Sequence, residues 1–209
     1  MKKLFVFISA TFFGTSLIAQ DYAKNSFGLN TSGPFPAAGL QWNHQLSEKT
    51  TLTAFYGQAV ESDWTTDEAY YPANDPSDAI QGYSGTTFQN SSWTGFLLNH
   101  RPLENFQAFR VSGGLGVGRL GGTLEGLDDG HTYFINGHGP FAYMGLGYGL
   151  KPVKGFQWGV DIGWLRAPGF TVDTDGIDAA AAQARMELIQ RNHELSFFPN
   201  AQITVAWGF

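Results

Sequence analysis

The chain has 209 residues, no cysteine and a formal net charge of −6. Disulfide scaffolds, zinc–thiolate centres and cysteine nucleophiles are therefore excluded, and the acidic balance disfavours a nucleic-acid partner, whose phosphates call for lysine and arginine. Glycine occurs 27 times, nearly double its ordinary share of about 7%, and aromatic residues make up 15%.

Met1-Lys2-Lys3 opens the chain as a basic stretch, followed by a mostly apolar run to Ile18 and then Ala19-Gln20 before the polar Asp21. This pattern predicts a secretory signal peptide over residues 1–20, with the mature domain at 21–209. No later stretch holds the roughly eighteen consecutive apolar residues that a spanning helix needs.

Eight strands are predicted after the leader. The first covers 26–32 and is followed by a Gly-Pro-Phe-Pro turn. The second covers 37–46, with Ala38, Leu40, Trp42 and Leu46 on one face and Gly39, Gln41, Asn43 and Gln45 on the other. The period of two separates a greasy face from a small or polar one. The third strand covers 50–60, and Leu52, Ala54 and Tyr56 point outward. An insertion at 61–85 follows, then a fourth strand at 86–99 whose faces the alternation does not assign. The fifth, at 106–122, sets Phe109, Val111, Leu115 and Val117 against Arg110, Ser112, Gly114, Gly116 and Gly118. A loop is expected at 123–137. The sixth strand, at 138–150, sets Ala142, Met144, Leu146, Tyr148 and Leu150 against Tyr143, Gly145, Gly147 and Gly149. The seventh alternates Phe156, Trp158, Val160, Ile162 and Trp164 with Gln157, Gly159, Asp161 and Gly163. In the insertion at 167–195, residues 177–191 are dense in strong helix formers and predict one short helix, with Asp175 as its N-cap. The eighth strand, 197–209, places Ala201, Ile203, Val205, Trp207 and Phe209 on one face and Gln202, Thr204, Ala206 and Gly208 on the other.

Short connections at 47–49, 100–105 and 151–155 alternate with long ones at 61–85, 123–137 and 167–195. This alternation predicts an all-β, eight-stranded antiparallel up-and-down transmembrane barrel, with short turns and both termini on the periplasmic side and long loops outside. Strands of about ten residues match a tilted membrane crossing. Trp42, Phe109, Tyr148, Trp158 and Phe209 are expected to form an aromatic girdle at the short-turn end.

The hairpin layout, the Ala- and charge-rich helix running into the Asn192–Pro199 approach, and the aromatic-ended last strand resemble the small bacterial outer-membrane barrels, although Ala206-Trp207-Gly208-Phe209 stands in place of their commoner Tyr-Arg-Phe type ending. These include the membrane domain of outer-membrane protein A and outer-membrane proteins X and W. The resemblance implies that Phe209, with Trp207, is the signal read by the barrel-insertion machinery. It also implies contact with outer-membrane lipids and lipopolysaccharide. It transfers fold and not activity, because the relatives share no single function.

Arg110 and Asp161 are the charges expected on the lumen face. A charge inside a small barrel needs a partner, so these two are expected to meet, directly or through Gln41, Asn43, Gln157 or Gln202. The acidic loops, with Glu61, Asp63, Asp67, Glu68, Asp75 and Asp78 in one, Glu125, Asp128 and Asp129 in another, and Asp173, Asp175 and Asp178 in the last, match no calcium-loop pattern, and no metal or cofactor is assigned. His131 and His138 near the outer rim, with Ser91, Ser92 and Asp128, are the materials for a hydrolytic site, but no His-x-Ser spacing unites them; His44 and His100 fall at the other end. The expected role is therefore a non-enzymatic outer-membrane protein, structural or interacting through its loops with an external ligand that the sequence does not identify. A narrow channel for small solutes, apolar ones included, is the alternative, and a lipid-modifying enzyme the remote one.

Overall fold

A computed structural model describes residues 22–31, 37–70, 80–87, 90–126, 130–167, 169–175, 186–187 and 197–209. The leader at 1–20 lies outside them. So does the expected helix at 177–191, apart from Met186 and Glu187, which are helical.

The strands are β1 (Asn25–Asn30), β2 (Ala37–Gln45), β3 (Thr50–Ala59), β4 (Ser62–Tyr70), β5 (Ile80–Thr87), β6 (Ser92–His100), β7 (Phe109–Gly126), β8 (Thr132–Gly149), β9 (Gly155–Arg166), β10 (Thr171–Thr174) and β11 (Phe197–Gly208). Eight of them close a ring in the order β8, β9, β11, β1, β2, β3, β6, β7 and back to β8, each pair antiparallel. Closure leaves the ring with no open edge. The seam is sealed by the end of the chain: Phe209 N–H donates to the Asn25 carbonyl at 2.8 Å, and Asn25 N–H to the Phe209 carbonyl at 3.1 Å.

The wall is apolar outside, and its lower interior is polar. Leu115 is 69% exposed and Met144 65%, whereas Thr204 is 0%, Arg110 1% and Gln41 3% exposed. An exposed apolar surface of this extent is unfavourable against water. Four rings stand in register around the lower wall, Phe156 beside Trp207 beside Phe27 beside Trp42. Tyr148 packs near Trp158, with centroids 6.0 Å apart. Trp42, Tyr148, Trp158 and Phe209 are exposed on this outer face and Phe109 is half-buried. The short connections gather at this lower end, where Lys49 Nζ donates to Glu104 Oε1 at 2.7 Å and ties two of them together.

Three expectations differ from the structure. Residues 123–137 are largely not a loop. β7 runs to Gly126 and β8 starts at Thr132, because Leu120, Leu124, Tyr133 and Ile135 carry the inward apolar alternation past the glycine pair Gly121-Gly122. Within the insertion at 61–85, β4 and β5 pair antiparallel, and both are rich in β-branched threonine. β5 pairs with the upper part of β7, from Gly122 to Gly126, and the expected fourth strand is thereby split between β5 and β6. On the opposite flank β10 pairs with the upper part of β8. The five strands β4, β5, β7, β8 and β10 thus make a sheet standing above the ring, with Leu124, Tyr133 and Val172 as its core and Ile135 and Met186 packed on it. Third, Leu150 leaves the outward face. Its backbone is left-handed, φ 48°, which breaks the period of two, and its side chain turns toward Gly159 on the lumen side.

Candidate functional site

The interior of the ring is the place where polar and charged side chains converge. Arg110 on β7 and Asp161 on β9 do not sit on adjacent strands. Both are in register with Gly147 of the intervening β8. A Cβ at position 147 would collide with Asp161 Oδ1 and with Arg110 Nε. The glycine is what lets the two charges meet across a strand. Arg110 Nη2 donates to Asp161 Oδ2 at 2.5 Å, and Nη1 to the Gly149 carbonyl at 2.7 Å. Both side chains are nearly excluded from solvent, where a charge-assisted hydrogen bond is stronger than in water.

Gln41, Asn43 and Gln202 belong to a second hydrogen-bonded group, in which Gln202 is in register with Asp161 on the neighbouring strand. Gln41 Oε1 accepts from Asn30 Nδ2 at 3.0 Å and from Gln202 Nε2 at 3.4 Å, and Gln41 Nε2 donates to Asn43 Oδ1 at 3.3 Å. The chain of bonds continues around the wall. Asn43 Nδ2 donates to Ser26 Oγ, Thr53 Oγ1 to Asn43 Oδ1, Asn99 Nδ2 to Thr53 Oγ1, and Ser112 Oγ to Asn99 Oδ1. Gln157 donates instead to the Val153 carbonyl.

Arg101 is the member that the sequence reading missed. It falls in a predicted turn, yet it continues the inward phase of Trp93, Gly95, Leu97 and Asn99. It is 2% exposed. Its Nη1 donates to Thr51 Oγ1 at 2.9 Å and its Nη2 to the Leu150 carbonyl at 2.6 Å, the residue with the left-handed backbone.

Above this polar layer the lumen is apolar. Ala59, Trp93 and Phe141 are buried together, with Phe55, Leu120, Leu165 and Ala167 against them, and the Phe55 and Phe141 centroids are 6.2 Å apart. Several inward glycines are covered by rings from other strands. The Phe141 ring lies over Gly116, and the Tyr143 phenol lies over the facing pair Gly145 and Gly163. Small residues on one strand receive large ones from another, as in a close-packed core.

The serine and histidine candidates are not assembled. Ser91 is buried and its Oγ accepts from Gly121 N–H at 2.9 Å, while His138 is exposed on the outer face. Ser92 and His138 share a register row with Arg119 between them. That places them two strand spacings apart, roughly 9–10 Å, beyond nucleophile–base contact. His131 lies 4.0 Å from Asp175; Asp128 is outside the described residues. His44 contacts Asn25, and His100 contacts Thr50. Several loop carboxylates act as local acceptors: Glu61 for the Asn90 N–H, Asp63 for Thr86 and Asp175 for the Thr132 N–H. Among the described residues no three His, Asp or Glu side chains gather as a metal site.

No protein-family model and no curated protein matches this sequence. Solved structures do match in shape. Acinetobacter baumannii CarO is 14% identical with a TM-score of 0.54, over 90% of this chain and 98% of that one. CarO2 of the same organism is 13% identical with a TM-score of 0.54, over 90% and 100%. A major outer membrane protein from Thermus thermophilus is 11% identical with a TM-score of 0.55, over 90% and 99%. The chain therefore has the fold of small outer-membrane β-barrels, a closed eight-stranded antiparallel ring.

Proposed function

We propose that this protein spans the bacterial outer membrane as a non-conducting, non-enzymatic barrel, with its termini in the periplasm and its raised sheet outside as the surface for contacts. The observation that carries this reading is the filled lumen: an ionic and amide layer below, an aromatic layer above. The apolar outer wall suits lipid, and the aromatic row at the short-turn end suits a membrane interface. The likeness to outer-membrane structures supports the same location. The separation of Ser92 from His138 by two strand spacings, with Ser91 buried and bonded to Gly121 N–H, supports a role without catalysis. The sheet β4–β5–β7–β8–β10, with Asp63, Glu125 and Asp173 among its acidic residues, supports recognition through the loops. Folded protein in liposomes is expected to leave small sugars and amino acids impermeant in a swelling assay. Swelling at a rate that rises with protein content contradicts the reading.

In this account Phe209 is read by the insertion machinery and also closes the seam with Asn25. Phe209→Lys is expected to lower the yield of protease-resistant, heat-modifiable barrel several-fold while synthesis stays unchanged. Pulse-labelling followed by electrophoresis of unheated samples measures both. Mutant barrel at wild-type levels would remove Phe209 from this role.

A further inference from the structure

The lower lumen holds more positive than negative charge. Two arginines, Arg101 and Arg110, are buried there, and Asp161 pairs with one of them. Arg101 bonds only to neutral oxygens, Thr51 and Leu150, among the described residues, and Arg110 repels it. A buried cation without a counter-charge is strongly unfavourable. A cavity lies at this end, lined by Lys24, Gln45, Arg101, Arg110, Leu150 and Gln157 among others. The Nε atoms of both arginines are buried and lack a hydrogen-bond partner among the described residues. Nearby amides are committed elsewhere: Gln45 Nε2 donates to the Ser47 carbonyl, Asn43 Nδ2 to Ser26 and Gln157 Nε2 to the Val153 carbonyl. Each guanidinium thus keeps an Nε–H without a partner among the described residues, besides the second N–H of each Nη. Lys24, exposed at the mouth, adds to a positive field that draws anions in.

We propose that this cavity binds one small inorganic anion such as a halide, held by Arg101 and Arg110. Charge sets the class: two buried guanidinium groups share one carboxylate, and the cavity has room for about one water-sized species. The anion balances the charge that Asp161 leaves over and supplies the acceptor that both Nε groups lack. The inference concerns the lumen alone and holds wherever the protein resides and whether or not it conducts.

Two measurements on the full folded protein test it. Crystals soaked in sodium bromide should show anomalous density between the Arg101 and Arg110 guanidinium groups. In parallel, heat modifiability is followed while chloride replaces gluconate at constant ionic strength. The wild-type midpoint should rise and saturate with chloride. At chloride ten times its Kd the folded-to-unfolded ratio should gain about tenfold. Arg101→Gln should lose the chloride dependence. If that variant does not fold, the wild-type bromide map and chloride titration still decide. Absence of bromide at the site overturns the proposal. So does bromide there without saturable chloride dependence, which marks an adventitious ion only.

Discussion

Asp161→Ala is expected to destabilise the folded barrel by about 3–5 kcal/mol, because it leaves the Arg110 guanidinium buried without its carboxylate. Arg110→Ala should cost a similar amount for the converse reason. The double variant should cost less than the two together, with a coupling on the order of 0.5–3 kcal/mol, since neither partner is then left without the other. The motive is geometric: the two side chains meet across Gly147, nearly dry, with Arg110 also holding the Gly149 carbonyl. Urea titrations of folding into lipid vesicles give the four stabilities of the cycle. Strict additivity would show that the pair does not interact.

Trp93→Ala is expected to be as costly, about 3–5 kcal/mol, through the apolar transfer lost and the cavity left. Trp93 lies inside the ring against Phe141 and Ala59, with Phe55, Leu120 and Leu165 packed around them. Those neighbours sit on four closed strands, which limits how far they can collapse into the space. Phe96→Ala is the informative control: Phe96 is on the same strand but is 61% exposed on the outer face, so its truncation trims exposed surface and leaves no internal cavity. The same titration compares the two. A Trp93→Ala loss no larger than that of Phe96→Ala would mean that the upper lumen is not a packed core.

Strand existence and facing were legible wherever one face is small or polar and the other large. In β9, Phe156, Trp158, Val160, Ile162 and Trp164 are all outward and Gln157, Gly159, Asp161 and Gly163 inward, as period two requires. β6 resisted because its interior is mixed. Trp93 faces the upper lumen and Asn99 the lower, so neither face is uniformly polar. The same layering hid the raised sheet: Leu124 and Tyr133 look inward over an apolar core of their own, and Gly121-Gly122 reads as an ending although the alternation runs through it. Leu150 was misplaced because one left-handed residue reverses the phase, and no pattern of side chains reveals a backbone angle. Arg101 was legible, two residues beyond Asn99 in the inward phase, but Pro102 drew the strand boundary ahead of it. The contact between Arg110 and Asp161 depends on strand neighbours and on an intervening glycine, facts of register that alternation alone does not carry.

Single-channel recording in a planar bilayer tests the central claim, a barrel whose lumen is closed by its own side chains. The sample is purified protein shown to be folded by its altered migration when unheated. The account predicts a flat baseline across the applied voltages, with no discrete steps attributable to the wild-type protein. Reproducible open-channel steps that scale with the amount of folded protein would contradict it.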